Sequence, residues 1–129
     1  MSNHSTAALE PVLTIHKRLN ELNSVISFCR DELKIYQRRL EEVVSKNTGK
    51  DILAQVEHFQ NQFILQGEQL DVLEHKVNLR RNELEKLGKD PAIGALRVPE
   101  GGLEDELKAT EQNHTETRKQ FYRFLANVY

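Results

Sequence analysis

The chain has 129 residues, of which 29% are charged and 38% hydrophobic, and its formal net charge is −2. This length predicts a single domain, and the high charged fraction favours long helices with one buried face over a thick globular core. A nucleic-acid-binding protein would need a basic excess to neutralise phosphates, so the slightly acidic balance argues against that class.

No targeting segment and no membrane-spanning run is visible in this sequence. The longest uninterrupted apolar runs are three residues, whereas a membrane span needs about 20. The first residues lack the cationic start and apolar run of a signal peptide. We therefore expect a cytoplasmic protein with no membrane partner, and we interpret the single Cys29 as a small core residue.

The first long segment carries the strongest pattern in the chain. Residues 1–7 are small and polar and predict a flexible N-terminus, and a first helix follows over residues 8–46 with Pro11 in its first turn. Apolar residues recur at alternating steps of three and four, which is the pattern of a helix that packs along other helices. The seam residues are Val12, Ile15, Leu19, Leu22, Ile26, Cys29, Leu33, Tyr36, Leu40 and Val43.

A short turn and a second helix come next. Residues 47–51 contain Gly49, which can adopt a positive φ, and the short connection predicts that the two helices are antiparallel neighbours. The second helix, over residues 49–87, has its own seam, which Gln66 and Arg80 interrupt. We interpret Gln66 as a polar residue that fixes register. The apolar seam residues are Ile52, Val56, Phe59, Phe63, Leu70, Leu73, Val77, Leu84 and Leu87.

Both helices also carry a second apolar line, which indicates a partner helix beyond the hairpin. On the first helix it is formed by Val25, Phe28 and Ile35, and on the second by Ile64, Leu65, Val72 and Leu79. We therefore expect an all-α three-helix bundle: a long antiparallel, coiled-coil-like hairpin with a shorter third helix over residues 103–129.

The connection over residues 88–102 contains two prolines and four glycines but also Ile93, Leu96 and Val98. Those side chains are too apolar for a simple linker, so we expect this loop to pack as a lid on the open end of the hairpin. A binding loop is the alternative.

The third helix is expected to be too short to cover the turn end of the hairpin, and its own end is rich in aromatic residues. Exposed apolar surface on that scale usually marks an interface. We therefore predict a homo-oligomer, with a two-fold dimer favoured. The predicted interface residues are Tyr36, Leu40, Phe59, Phe121, Tyr122, Phe124, Leu125, Val128 and Tyr129.

Only one residue pattern in the sequence, on the third helix, suggests a metal- or ligand-binding site. Glu111 and His114 form the Glu-x-x-His pattern that di-iron bundle proteins use, because side chains at i and i+3 point the same way. Such a site needs two of these motifs and two further carboxylates, and the second helix offers only an incomplete set. The sequence therefore predicts neither catalytic residues nor a cofactor. It favours a non-enzymatic interaction or scaffold protein that acts through helix contacts, with a metal- or ligand-binding bundle at Glu111 and His114 as the alternative.

Overall fold

The computed structural model describes residues 2–87 and 101–128, and in these ranges the chain forms three helices and no strand. Helix α1 is Ser2–Lys46, α2 is Lys50–Leu87 and α3 is Gly101–Val128. The helices pack against each other, which confirms the predicted all-α three-helix bundle with a shorter third helix. The expected lid at residues 88–100 lies outside the described residues and stays a prediction.

The helix ends differ slightly from the expectation. Helix α1 begins at Ser2, so residues 2–7 are helical rather than a separate N-terminal segment, and Pro11 lies in its third turn rather than its first. Nothing in these residues forbids the helix, because Ala7 and Ala8 are strong helix formers and Ser and Asn are only weakly unfavourable. Helix α3 begins at Gly101, two residues before the predicted start.

Contacts between the helices establish their directions. Near the open end, Arg81 of α2 donates to Asn20 of α1 at 2.7 Å, and nearer the turn the rings of Tyr36 and Phe63 are 5.6 Å apart. Helices α1 and α2 are therefore antiparallel, as predicted. Helix α3 runs parallel to α1, because its start contacts the N-terminal half of α1 and its end contacts a later segment. The pairs that show this are Arg18–Glu104 at 2.7 Å and Tyr36–Phe121 at 5.3 Å.

The predicted seams form the core. From Leu19 to Val43, every predicted seam residue of α1 is buried, and so are those of α2 from Val56 to Leu84 except Arg80, which is half-buried. Burying an aliphatic or aromatic side chain stabilises a fold by roughly 1.5–3 kcal/mol. Helix α3 contributes four apolar side chains to this core, Leu103, Leu107, Phe121 and Phe124.

The connection between α1 and α2 is only Asn47, Thr48 and Gly49. The Asn47 side chain donates from Nδ2 to the carbonyl of Val43 at 2.9 Å and so satisfies one of the unpaired carbonyls at the end of α1. The carbonyl of Gly49 accepts from Leu53 N at 3.0 Å, which makes Gly49 the N-cap residue of α2. Gly49 does not use the positive φ that is open to glycine, and the chain turns here without a left-handed residue.

The second apolar lines differ from the seams in burial, because most of their side chains stay exposed. Phe28 and Ile35 on α1 remain 58% and 52% exposed, and the three residues on α2 at seven-residue spacing are exposed to a similar degree. Helix α3 is the third partner that these lines predicted, but it packs into the groove between the two seams instead of on the lines themselves. Within the described ranges, no helix combines the length and the apolar character that crossing a membrane requires.

Candidate functional site

The predicted interface residues are mostly core residues of a single chain. Tyr36, Leu40, Phe59, Phe121 and Phe124 are all buried, so the expectation that the turn end of the hairpin is left uncovered was wrong. Of the others, Tyr122 is exposed, Leu125 and Val128 are partly buried against the core, and Tyr129 lies outside the described residues.

The reason is the position of α3 along the hairpin. Phe121 packs against Phe59 at 5.3 Å and Phe63 at 5.2 Å, and Phe124 packs against Phe59 at 5.2 Å between ring centroids. From the sequence, α3 was expected to be too short to cover the turn end. In the structure α3 reaches the aromatic residues near the turn and closes the core there.

Next to this aromatic cluster, the core contains a hydrogen-bonded set of polar side chains from all three helices, which we call the polar cluster: Glu32 and Tyr36 of α1, Gln66 of α2, and His114 and Thr117 of α3. Gln66, His114 and Thr117 are 2%, 3% and 5% exposed. Polar groups buried this deeply destabilise a fold unless they are hydrogen-bonded, and here one network joins all five.

The network can be followed atom by atom. Gln66 donates from Nε2 to Thr117 Oγ1 at 2.7 Å, and its Oε1 lies 3.2 Å from Nδ1 of His114. The other ring nitrogen of His114, Nε2, lies 2.9 Å from Oε1 of Glu32, and Tyr36 donates its hydroxyl to the second carboxylate oxygen at 2.9 Å. Glu32 also faces Arg118 at 3.5 Å.

Both nitrogens of the His114 ring have polar partners inside the core. Nδ1 faces the Gln66 amide, and Nε2 faces the Glu32 carboxylate. The Gln66 amide in turn bonds Thr117, so that none of the four side chains is left without a hydrogen-bond partner.

Burial also raises the pKa of two acidic groups, Tyr36 within the cluster and Cys29 outside it. It raises the pKa of the Tyr36 hydroxyl well above its ordinary value, and the hydrogen bond to Glu32 adds to the shift. Burial likewise raises the pKa of the Cys29 thiol, helped by the negative charges of Glu111 and Glu32. Cys29 is thus a protonated core thiol, as the sequence indicated, and not an activated nucleophile.

The geometry does not bring the predicted metal ligands together. Both nitrogens of His114 already have hydrogen-bond partners inside the core, whereas Glu111 borders a surface groove with Lys108, Gln112 and Thr115. In the part of the chain that the structure describes, no three His, Cys, Asp or Glu side chains are grouped so that they could hold a metal ion.

Sequence reasoning identified Gln66 and His114 but missed Glu32. Glu32 flanks the α1 seam, directly before Leu33, and its side chain is 15% exposed. The signal that could have found it is the direction of α3: once α3 is parallel to α1, the polar middle of α3 must face the middle of α1. The nearest carboxylate flanking the seam there is Glu32.

The outer surface offers two kinds of groove. Between α1 and α2, on the side away from α3, a groove is lined by polar residues such as Asn23, Ser27 and Asn78. Between α2 and α3, a groove of about 480 Å³ is lined by Leu65, Val72, Leu73 and Ala109, with polar residues at its rim. The second groove lies along the exposed apolar line of α2.

Comparison of this chain with protein-family models, with curated proteins and with solved structures finds no match.

Proposed function

We propose that this protein is a non-enzymatic interaction or scaffold protein, which acts through contacts between helical bundles as a homo-oligomer. Its expected cytoplasmic location belongs to the same proposal, and the single unpaired Cys29 is compatible with a reducing compartment.

The observation that carries the proposal is the apolar surface left over after the core is complete. Large apolar side chains on the outer faces of all three helices are about half exposed, including Phe28, Ile35 and Tyr122. Single exposed apolar residues are ordinary, but residues repeated at seven-residue spacing along one helix form a continuous stripe. Such stripes on a bundle whose seams are already filled are typical of contacts with further helices.

The polar residues of the structure support the same conclusion. The polar cluster is the only place among the described residues where buried polar side chains from all three helices meet. Its side chains form hydrogen bonds with one another. No substrate atom could replace these partners without unpairing a buried group, which costs about 1–3 kcal/mol. The cluster is therefore best explained as a device that fixes the position of α3 on the hairpin.

The proposal is tested by the molar mass of the full chain in solution, measured by light scattering over a wide range of protein concentration. We expect the mass of a dimer at the upper concentrations and dissociation on dilution. A molar mass of one chain at every concentration would refute the homo-oligomer. Truncation of residues 121–129 is not a suitable test, because Phe121 and Phe124 belong to the core and their loss would unfold the bundle.

A further inference from the structure

One exposed stripe is more regular than the others. Leu65, Val72 and Leu79 follow one another at seven-residue spacing on α2, and they are 54%, 54% and 48% exposed. At 1.5 Å per residue the stripe is about 21 Å long. It borders the apolar groove between α2 and α3, so its apolar surface continues sideways to Leu73 and Ala109.

The residues beside the stripe have a symmetric arrangement about Val72. Leu65 and Leu79 are each seven residues away from Val72, in opposite directions. On one flank of the stripe, Glu68 and His75 lie at nearly equal distances from Val72, and on the other flank Gln69 and Lys76 do. Further out, Asn61 mirrors Asn82 on the first flank, and Gln62 mirrors Glu83 on the second.

We propose that α2 binds a second copy of this chain through the stripe, antiparallel, with the two-fold axis at Val72. This inference rests on the proposed function and names its partner and contact surface. Each Val72 then meets its equivalent, and each Leu65 meets Leu79 of the second copy. A two-fold contact must be self-complementary, because the same surface serves both sides.

The flanking charges favour this partner over an unrelated helix. In a two-fold antiparallel pair, equivalent flanks face each other, so that Glu68 lies opposite His75 of the second copy and Gln69 lies opposite Lys76 of the second copy. No two like charges of these flanks meet. Lys76 is already bound to Glu106 of α3 at 2.9 Å, which further reduces the positive charge beside the contact. A partner helix of different sequence would not require this mirror arrangement.

The register is tested by single cysteines introduced into the full chain and oxidised under mild conditions. The native Cys29 is buried and does not compete. Val72→Cys should form a disulfide-linked dimer by itself, because its equivalents meet at the axis. Leu65→Cys alone and Leu79→Cys alone should not, since about 21 Å of helix separates the equivalents, but a mixture of these two variants should cross-link.

Asn78→Cys is the matched control, since it is exposed on the same helix but lines the groove between α1 and α2. It should cross-link no faster than random collision allows. Efficient self-linking of Leu65→Cys and Leu79→Cys would indicate a parallel pair and overturn the proposal. Equal cross-linking of Val72→Cys and Asn78→Cys would overturn it as well.

A charged side chain introduced at Val72, on the two-fold axis, gives a second test that needs no cysteine chemistry. Val72→Glu and Val72→Lys should each weaken dimerisation at least tenfold while leaving the helix content unchanged, because Val72 is exposed in the single chain. Mixing the two variants should restore dimers. If the unmodified chain is a dimer and the Val72→Glu variant is also a dimer, the inference fails and the proposed function stands. If the unmodified chain is a monomer throughout, the proposed function fails first.

Discussion

The polar cluster makes a quantitative prediction for the substitution Gln66→Leu. Gln66 is 2% exposed, and its amide bonds both Thr117 and His114. Leucine has a similar volume, so it fills the space but leaves two buried polar groups without a partner. Each unpaired group costs about 1–3 kcal/mol, and the Thr117 hydroxyl is at the low end because it can turn to a backbone carbonyl of its own helix.

The new apolar side chain offsets part of that cost. Burying leucine in place of an amide contributes about 1–2 kcal/mol, so we expect Gln66→Leu to lower the free energy of unfolding by about 2 kcal/mol. The assay is equilibrium unfolding in urea followed by circular dichroism, at one fixed protein concentration because oligomerisation also adds stability. Gln55→Leu is the matched control: the same exchange at an exposed position of α2 should change stability by less than about 0.5 kcal/mol.

A combined variant separates hydrogen bonding from packing. In Gln66→Leu with His114→Leu and Thr117→Val, no buried group of these three is left unpaired, while Glu32 keeps the Tyr36 hydroxyl at 2.9 Å and Arg118 at 3.5 Å. We expect this variant to recover at least half of the loss, as when a buried polar network is replaced as a whole. A stabilising effect of Gln66→Leu alone, or a combined variant that is less stable than the single one, would refute the reasoning.

Two further predictions concern single residues. The pKa of Tyr36 is raised in the folded state, so its contribution to stability is present below the ordinary tyrosine pKa of about 10 and is lost above it. Between pH 9 and 11 the unmodified chain should therefore lose about 1.4 kcal/mol more stability than Tyr36→Phe in chemical unfolding, and an equal loss in the two proteins would rule this explanation out. Gly67→Ala should stabilise the protein by about 0.5–1 kcal/mol in thermal unfolding, because Gly67 lies inside α2 and an added Cβ would meet no atom within 4 Å. The same change at the N-cap, Gly49→Ala, should not stabilise, and an equal gain at both positions would contradict this explanation.

The fold could be predicted from the sequence because the features that define it lie within short stretches of the chain. Seam residues at steps of three and four define each helix and its buried face, and the three-residue turn at Asn47–Gly49 makes α1 and α2 antiparallel. These features need no knowledge of distant contacts, and Leu19, Leu33 and Phe63 are buried as expected.

The candidate site was harder to predict, because it depends on how far α3 slides along the hairpin. A shift of two helical turns changes which residues Phe121 covers, yet it leaves the seam pattern unchanged. The shift is set by pairs far apart in sequence, such as Gln66 with Thr117 and Glu32 with His114. For this reason the sequence identified Gln66 and His114 as unusual but assigned Phe121 and Phe124 to an exterior contact.

The unequal lengths of the two connections between helices have a consequence for the order in which the protein assembles. The hairpin of α1 and α2 is closed by a three-residue turn, so most of its contacts form with little loss of chain entropy, whereas α3 must be brought back across the 13 residues from 88 to 100. The hairpin is therefore the natural nucleus, and α3 docks on it afterwards. We therefore expect the amide hydrogens of α3 to exchange with solvent before those of the hairpin core, through an opening that exposes Phe59, Phe63 and the polar cluster together.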